Sequence, residues 1–223
     1  MTRQRSLFEI IGPVMIGPSS SHTAGAARLG GLARAILGQT PRSAHILLHG
    51  SFATTGRGHG TDLALVAGLL GYAPDDPRIR DAFSLAKAQG LDISFDEADL
   101  GEVHPNTAQL EMTDAEGNEM LVRGSSLGGG DVVVKLIDDF PVEITGELPV
   151  LLVVHHDQPG AVAAVTARLA ADVINIAGMQ VSRERRGARA LMLIATDHPV
   201  PDEVAASVAA IDGVSSVRQV PAV

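Results

Sequence analysis

The sequence predicts an α+β chain of 223 residues in two successive regions: a mainly antiparallel sheet with helices against it up to Glu147, and a compact βαββαβ unit from Leu148 onward. Three observations carry this. Short apolar runs of strand length are interspersed with stretches of helical period. The helical stretches of the first region stop at glycines, which close helices in the left-handed conformation. The Gly- and His-rich turns of residues 1–147 then give way to regular strand and helix signals over 148–223. The stretch PVEITGELP, with Gly146 and Pro149, reads as the short connection between the two.

Taken in order, Ser6–Ile11 is a short helical or extended lead-in. Ala24–Leu37 has apolar residues at helical spacing and stops at Gly38. Ala44–His49 is a strand that enters a loop, GSFATTGRGHGTD. Leu63–Leu70 is a helix ended by Gly71, and Arg78–Gln89 an amphipathic one ended by Gly90. Leu91–Phe95, Ala108–Thr113, Glu119–Arg123 and Asp131–Ile137 read as strands, the middle pair joined by the turn DAEGN. In the second region Val150–His155 is a strand and Gly160–Ala171 a helix opened by Pro159-Gly160. Strands Ile174–Arg183 and Ala188–Ala195, helix Glu203–Ala210 and strand Val214–Val220 follow. This order is the ferredoxin-like split unit.

Composition excludes several function classes. Aromatic residues are 3% of the chain and Trp is absent, which leaves no stacking platform for bases, and a formal charge of -9 repels a phosphate backbone. The basic stretch RERRGAR reads as solvated loop. Without cysteine the chain makes neither disulfides nor thiolate metal sites. No apolar run approaches the roughly 20 residues of a membrane span. Glu9 and Pro13 interrupt the apolar part of the N-terminus, so no signal peptide is read there. A soluble, cytoplasmic protein is expected.

Four polar turns stand out in the first region: GPSSSHT (17–23), GHGTD (58–62), HPNT (104–107) and SSLGGG (125–130). Each puts a histidine or paired hydroxyls beside glycine or proline, which allow backbone amides to approach a small ligand. Singly they have ordinary explanations, as a helix cap, an exposed loop histidine, a tight turn and a bulge. Together they indicate a site. A Ser-His-Asp hydrolase needs its nucleophile on a strained elbow, whereas these serines read as cap and turn hydroxyls. A zinc site from His22, His59 and His104 is chemically possible, but its spacing matches no known zinc pattern. Proton transfer to a small polar metabolite is favoured, histidine being the usual base near neutral pH.

The stretches SLFEIIGPVMIGPSSSHTAGAARLG, GSFATTGRGHGTDLALVAGLL, HPNTAQ and SSLGGG, in this order, closely resemble the beta subunit of iron–sulfur-dependent L-serine dehydratases. The resemblance covers nearly the whole chain, and its N-terminal part is also similar to the allosteric substrate-binding domain of some phosphoglycerate dehydrogenases. It implies conversion of L-serine to pyruvate and ammonia. In two-chain members a [4Fe–4S] cluster sits on a separate alpha subunit; its iron acts as Lewis acid on the serine hydroxyl while a base removes the α-proton. The absence of cysteine here agrees with that division. The resemblance makes His59, His22 and His104 the candidate catalytic residues, His59 first because its flanking glycines allow close approach. Ser20, Ser21, Thr23, Thr61, Asn106 and Ser126 are the candidate substrate-binding residues. No metal ligand is assigned to this chain. The alternative is a purely regulatory amino-acid-binding subunit without catalytic residues.

The second region resembles the ACT domain over Pro149–Val223, with DQPG as its strongest local cue. By that resemblance Asp157 and the N–H groups around Gly160 are candidates to bind an amino-acid effector. A four-stranded sheet with both helices on one face leaves the other bare, so self-association through that face is expected.

Overall fold

A computed structural model of the protein describes residues 14–223, so the lead-in Ser6–Ile11 lies outside the described residues. Tertiary contacts divide the chain into two compact units, one ending at Lys135 and the other running from Leu136 to Val223.

The first unit opens with a π-helical turn, Ser20–Gly25, that runs directly into helix α1 (Ala26–Leu37). Strand β1 (Ser43–Leu48) follows, then helices α2 (Ser51–His59) and α3 (Thr61–Leu69). A 3-10 turn, Pro77–Asp81, leads into α4 (Ala82–Ala88). Strands β2 (Asp92–Glu97), β3 (Thr107–Thr113), β4 (Glu119–Gly128) and β5 (Asp131–Ile137) follow; the sheet order is β2-β1-β3-β4-β5-β6, its last strand β6 (Phe140–Ile144) being counted with the second unit. The helices α2 to α4 form the crossover that parallel strands require, since β1 and β2 pair in parallel with Ile46 opposite Phe95. The β1–β3 and β3–β4 pairs are antiparallel.

Two expectations fail here. The stretch after β1 is a helix, α2, and not a loop. Its two internal glycines, Gly56 and Gly58, weaken the helical signal, but the hydroxyls of Thr54 and Thr55 bond the carbonyls of Gly50 and Ser51 one turn back, and Gly60 closes the helix at φ 71°. The supposed connection PVEITGELP contains strand β6, whose alternating buried and exposed residues fit a sheet position. Pro141 is tolerated because β6 is the last strand of the order.

Helices α1 and α3 touch backbone to backbone. A Cβ on Gly68 would stand 2.1 Å from the Ala27 carbonyl oxygen, and one on Gly30 2.3 Å from that of Leu65. Contacts along the seam keep the same order on both helices: Gly30 meets Gly68, and Arg34 lies against Gly71. The two helices therefore run parallel, with their N-termini at the same end. Leu29 and Leu32 of α1 and Leu65 and Leu69 of α3 are fully buried, as are Ile46 and Leu110 of the sheet.

The second unit has β7 (Val150–His156), α5 (Ala161–Ala171), β8 (Ile176–Arg183), β9 (Arg189–Thr196), α6 (Asp202–Ala209) and β10 (Val214–Val220), the βαββαβ order expected. Its sheet order is β10-β7-β9-β8. Leu151, Val153, Met192 and Ile194 pack with Val165 and Leu169 of α5 and with Val204 and Val208 of α6. The opposite face is not bare: Leu152, Leu191 and Leu193 are buried as well. The unit also includes β6, whose Pro141 carbonyl accepts hydrogen bonds from Gln180 and Ser182 on β8, which explains why the division falls ahead of Glu147. Exposed apolar side chains lie instead on the edge strand β8, at Met179 and Val181.

Gly68→Ala gains about 1 kcal/mol of helix propensity. The added methyl would nevertheless meet a backbone oxygen that cannot swing aside. A net loss of about 2 kcal/mol is expected, within the range for overpacked cores. Gly58→Ala, with nothing within 4 Å of the new Cβ, should leave stability unchanged or raised. Urea unfolding of the two variants checks this; equal stabilities would remove the steric role of the seam.

Candidate active site

The π-helical turn is what presents His22. Ser19 caps it, its hydroxyl accepting the His22 N–H at 3.1 Å, as a serine before a helix is expected to do. The wider turn, a form common at functional positions, leaves the imidazole spanning two groups of hydroxyls. His22 Nδ1 lies 3.1 Å from Ser21 Oγ, and Nε2 lies 3.1 Å from both Ser51 Oγ and Thr55 Oγ1. The ring packs edge-on against buried Phe52, with centroids 5.3 Å apart. Burial lowers the His22 pKa below 6.5, a bond to Ser51 opposes this, and the nearby His59 lowers it further. His22 is therefore neutral at neutral pH.

Helix α2 supplies the other side. Gly50 turns the chain at φ 55°, and a Cβ there would lie 2.7 Å from the Pro105 carbonyl oxygen, which accepts the Ser51 N–H at 2.8 Å. Ser51, Thr55 and His59 then follow at intervals of four on one helical face. His59 is in the last turn and exposed. Its Nδ1 lies 3.0 Å from the Thr55 carbonyl oxygen. A carbonyl only accepts, so Nδ1 carries the proton and Nε2 of the neutral ring is left with its lone pair. The His22 and His59 rings are 5.1 Å apart. Thr55 thus bonds both histidines, one through its hydroxyl and one through its carbonyl. Sequence reasoning missed Ser51 and Thr55. Their spacing with His59 was visible, but only to a reading that took this glycine-rich stretch as helix.

The four polar turns do meet in this unit. HPNT abuts the start of α2 through Pro105, and the Ser126 N–H donates to the Asn106 carbonyl at 2.9 Å. A Cβ on Gly25 would lie 2.0 Å from Ser126 Oγ, so SSLGGG lies against the π turn. Thr23 Oγ1 donates to the His59 carbonyl at 3.1 Å. His104 is exposed and its Nδ1 accepts the Asn106 N–H at 3.1 Å, so it stabilises its own turn. Ser20, Ser21 and Asn106 are partly exposed, whereas Thr23, Thr61 and Ser126 are buried, the Thr61 and Ser126 hydroxyls without a hydrogen-bond partner among the described residues. By letter, Gly124–Gly128 fits the hydrolase elbow pattern. Ser126 is 0% exposed inside β4 and followed by another strand, so it is no presented nucleophile.

In the second unit Asp157 Oδ2 accepts from the Gly187 N–H and from Arg183, both at 3.0 Å. The Gly187 bond, followed by Arg183, lowers its pKa. The carboxylate ties the β8–β9 turn to the loop before α5. Gly160, at φ 91°, immediately precedes that helix. Among the described residues no three His, Asp or Glu side chains form a group that could hold a metal ion. No helix there is long and apolar enough to cross a membrane.

Comparison with known proteins matches residues 6–89 to the serine dehydratase beta chain family model and residues 149–213 to the ACT domain model. The first match includes His22, Ser51, Thr55 and His59. The chain is 42% identical to the probable L-serine dehydratase, beta chain, of Bacillus subtilis, over 98% of this chain and 99% of that one. It is 35% identical to the L-serine dehydratase, beta chain, of Peptoniphilus asaccharolyticus, over 96% and 97%. A segment of the Helicobacter pylori L-serine dehydratase is 37% identical, over 52% of this chain and 30% of that one. The chain belongs to the family of L-serine dehydratase beta chains.

Proposed function

We propose that this chain is the beta subunit of a two-chain L-serine dehydratase that converts L-serine to pyruvate and ammonia, and that it supplies the proton-handling wall of the site. The observation that carries the proposal is Thr55 bonding both histidines, with exposed His59 tied through Nδ1 to the Thr55 carbonyl so that Nε2 is the nitrogen left to act as the base. A [4Fe–4S] cluster does not fit this chain's own residues, because it has no cysteine thiolate to offer. The cluster is accordingly assigned to an alpha partner.

His59 Nε2 takes the α-proton of serine. The imidazolium that forms lies in the last turn of α2, where the helix dipole favours a cation. Neutral His22 beside it adds no opposing charge. Ser20, Ser21 and Asn106 provide the partly exposed polar groups for the substrate carboxylate.

For the assembled two-chain enzyme purified without oxygen, His59→Ala should lower kcat by about 10²–10⁴-fold, the usual contribution of a positioned base, with a much smaller change in KM. A kcat within a factor of about two of wild type would refute this role and favour a regulatory subunit.

His22 gives a pH signature. Its folded pKa is lowered, so the unfolded chain binds more protons just below pH 6.5 and stability rises with pH there. The contribution of neutral His22 is complete above 6.5 and is lost as the pH falls toward the folded value. The stability advantage of wild type over His22→Gln should therefore narrow through that window in thermal melts, and an advantage that widens would reverse the sign.

A further inference from the structure

The face of α2 turned away from His22 lines a cavity of about 620 Å³ that the dehydratase reading leaves unused. Ser51 and Thr55 face His22, while Ala53 and Arg57, two residues on from each and so on the opposite side of the helix, line the cavity. Leu48, Phe52, Asp62, Phe83, Phe95, Asp96 and Glu97 complete the lining. Three of the chain's five phenylalanines thus gather around one opening. Phe83 stays 42% exposed, resting edge-on against Phe95 with centroids 6.0 Å apart. An aromatic side chain left open inside a concave site of this size, lined by apolar and charged side chains in comparable measure, is what a pocket for a small amphiphilic molecule presents.

The charges specify the ligand. Arg57 is exposed and makes no ion pair among the described residues, so its guanidinium is free for a carboxylate. Asp96 is already held by His45 at 3.0 Å. Glu97 and Asp62 remain for a cation, since Asp62 spends only Oδ1, on the Leu63 N–H. A single bound molecule that meets all of these groups carries a carboxylate, an ammonium and an apolar body. We propose that the cavity binds an α-amino acid with a large apolar side chain. Its carboxylate pairs with Arg57, its ammonium with Glu97 and Asp62, and its side chain covers Phe83 and Phe95. L-Serine does not fit this description, because its small polar side chain leaves both rings uncovered. Phe52 is common to the cavity wall and to the His22 contact, so an occupant reaches His22 through one ring.

Calorimetric titration of the full chain tests binding without reference to turnover, so this proposal and the dehydratase reading fail separately. The probes are L-phenylalanine, phenethylamine, 3-phenylpropionate and L-serine. L-Phenylalanine should bind saturably, and the two analogues lacking one charge should bind about tenfold more weakly, the loss of one charge-assisted contact. Arg57→Ala should abolish the preference for L-phenylalanine over phenethylamine, and Glu97→Gln the preference over 3-phenylpropionate. Both residues are exposed, so the variants should keep the wild-type circular dichroism. Binding should also shift the His22 imidazole resonances. The proposal is overturned by no saturable binding up to about 10 mM, a decade beyond a millimolar site. It is equally overturned by equal affinities for all four probes, by indifference to both substitutions, or by loss of the site when the alpha chain is added, which would make the surface a subunit contact.

Discussion

The closeness of two helix backbones governs the first unit. Where α1 and α3 cross at Gly30 and Gly68 there is no room for even a methyl group. Because the helices run parallel, this single approach brings both N-termini to one end. The π turn that carries His22 precedes α1, and the last turn of α2, with His59, precedes α3 by a single residue. A separation larger by one methyl would therefore act directly on the distance between the two imidazoles. Packing at this seam and geometry at the site are one constraint, because interiors of this density transmit strain instead of absorbing it.

Within that frame α2 works on both its faces. One face holds Ser51 and Thr55 against His22, and the other, with Ala53 and Arg57, lines the cavity that we assign to an amino acid. Its ends are fixed by glycines in positive-φ backbone states that favour glycine, Gly50 against Pro105 and Gly60 at the turn into α3. A helix so short and glycine-rich has little stability of its own. It is held by the hydroxyl–carbonyl bonds of Thr54 and Thr55 and by buried Phe52.

Much of the fold was legible because it rests on local chemistry. Gly38, Gly71 and Gly90 stop helical stretches where expected and all have positive φ. The βαββαβ order follows from period alone, since each element buries one face in a small core. The misses share a cause. Helix α2 hid behind Gly56 and Gly58, one of them set by the close approach of Thr61. Strand β6 hid behind Pro141 and Gly146. The polar turns singled out by composition do lie together, but composition did not show which side of them faces solvent. Thr61 and Ser126 are polar and lie among the turns, yet they are fully buried, whereas Ser51 and Thr55 were unremarkable until a helix aligned them with His59. The bareness of the second sheet face was inferred from that unit alone, and the contribution of β6 to the same compact unit was invisible from period or composition.

The central claim is that the Thr55 carbonyl holds the proton on His59 Nδ1 and leaves Nε2 as the base. Nitrogen-15 NMR of the histidine rings in the full chain, at a pH where His59 is neutral, reads this tautomer directly. The account predicts a protonated Nδ1 and a bare, pyridine-like Nε2 for His59, assigned by its loss in His59→Gln. The opposite tautomer, with the proton on Nε2, would contradict it.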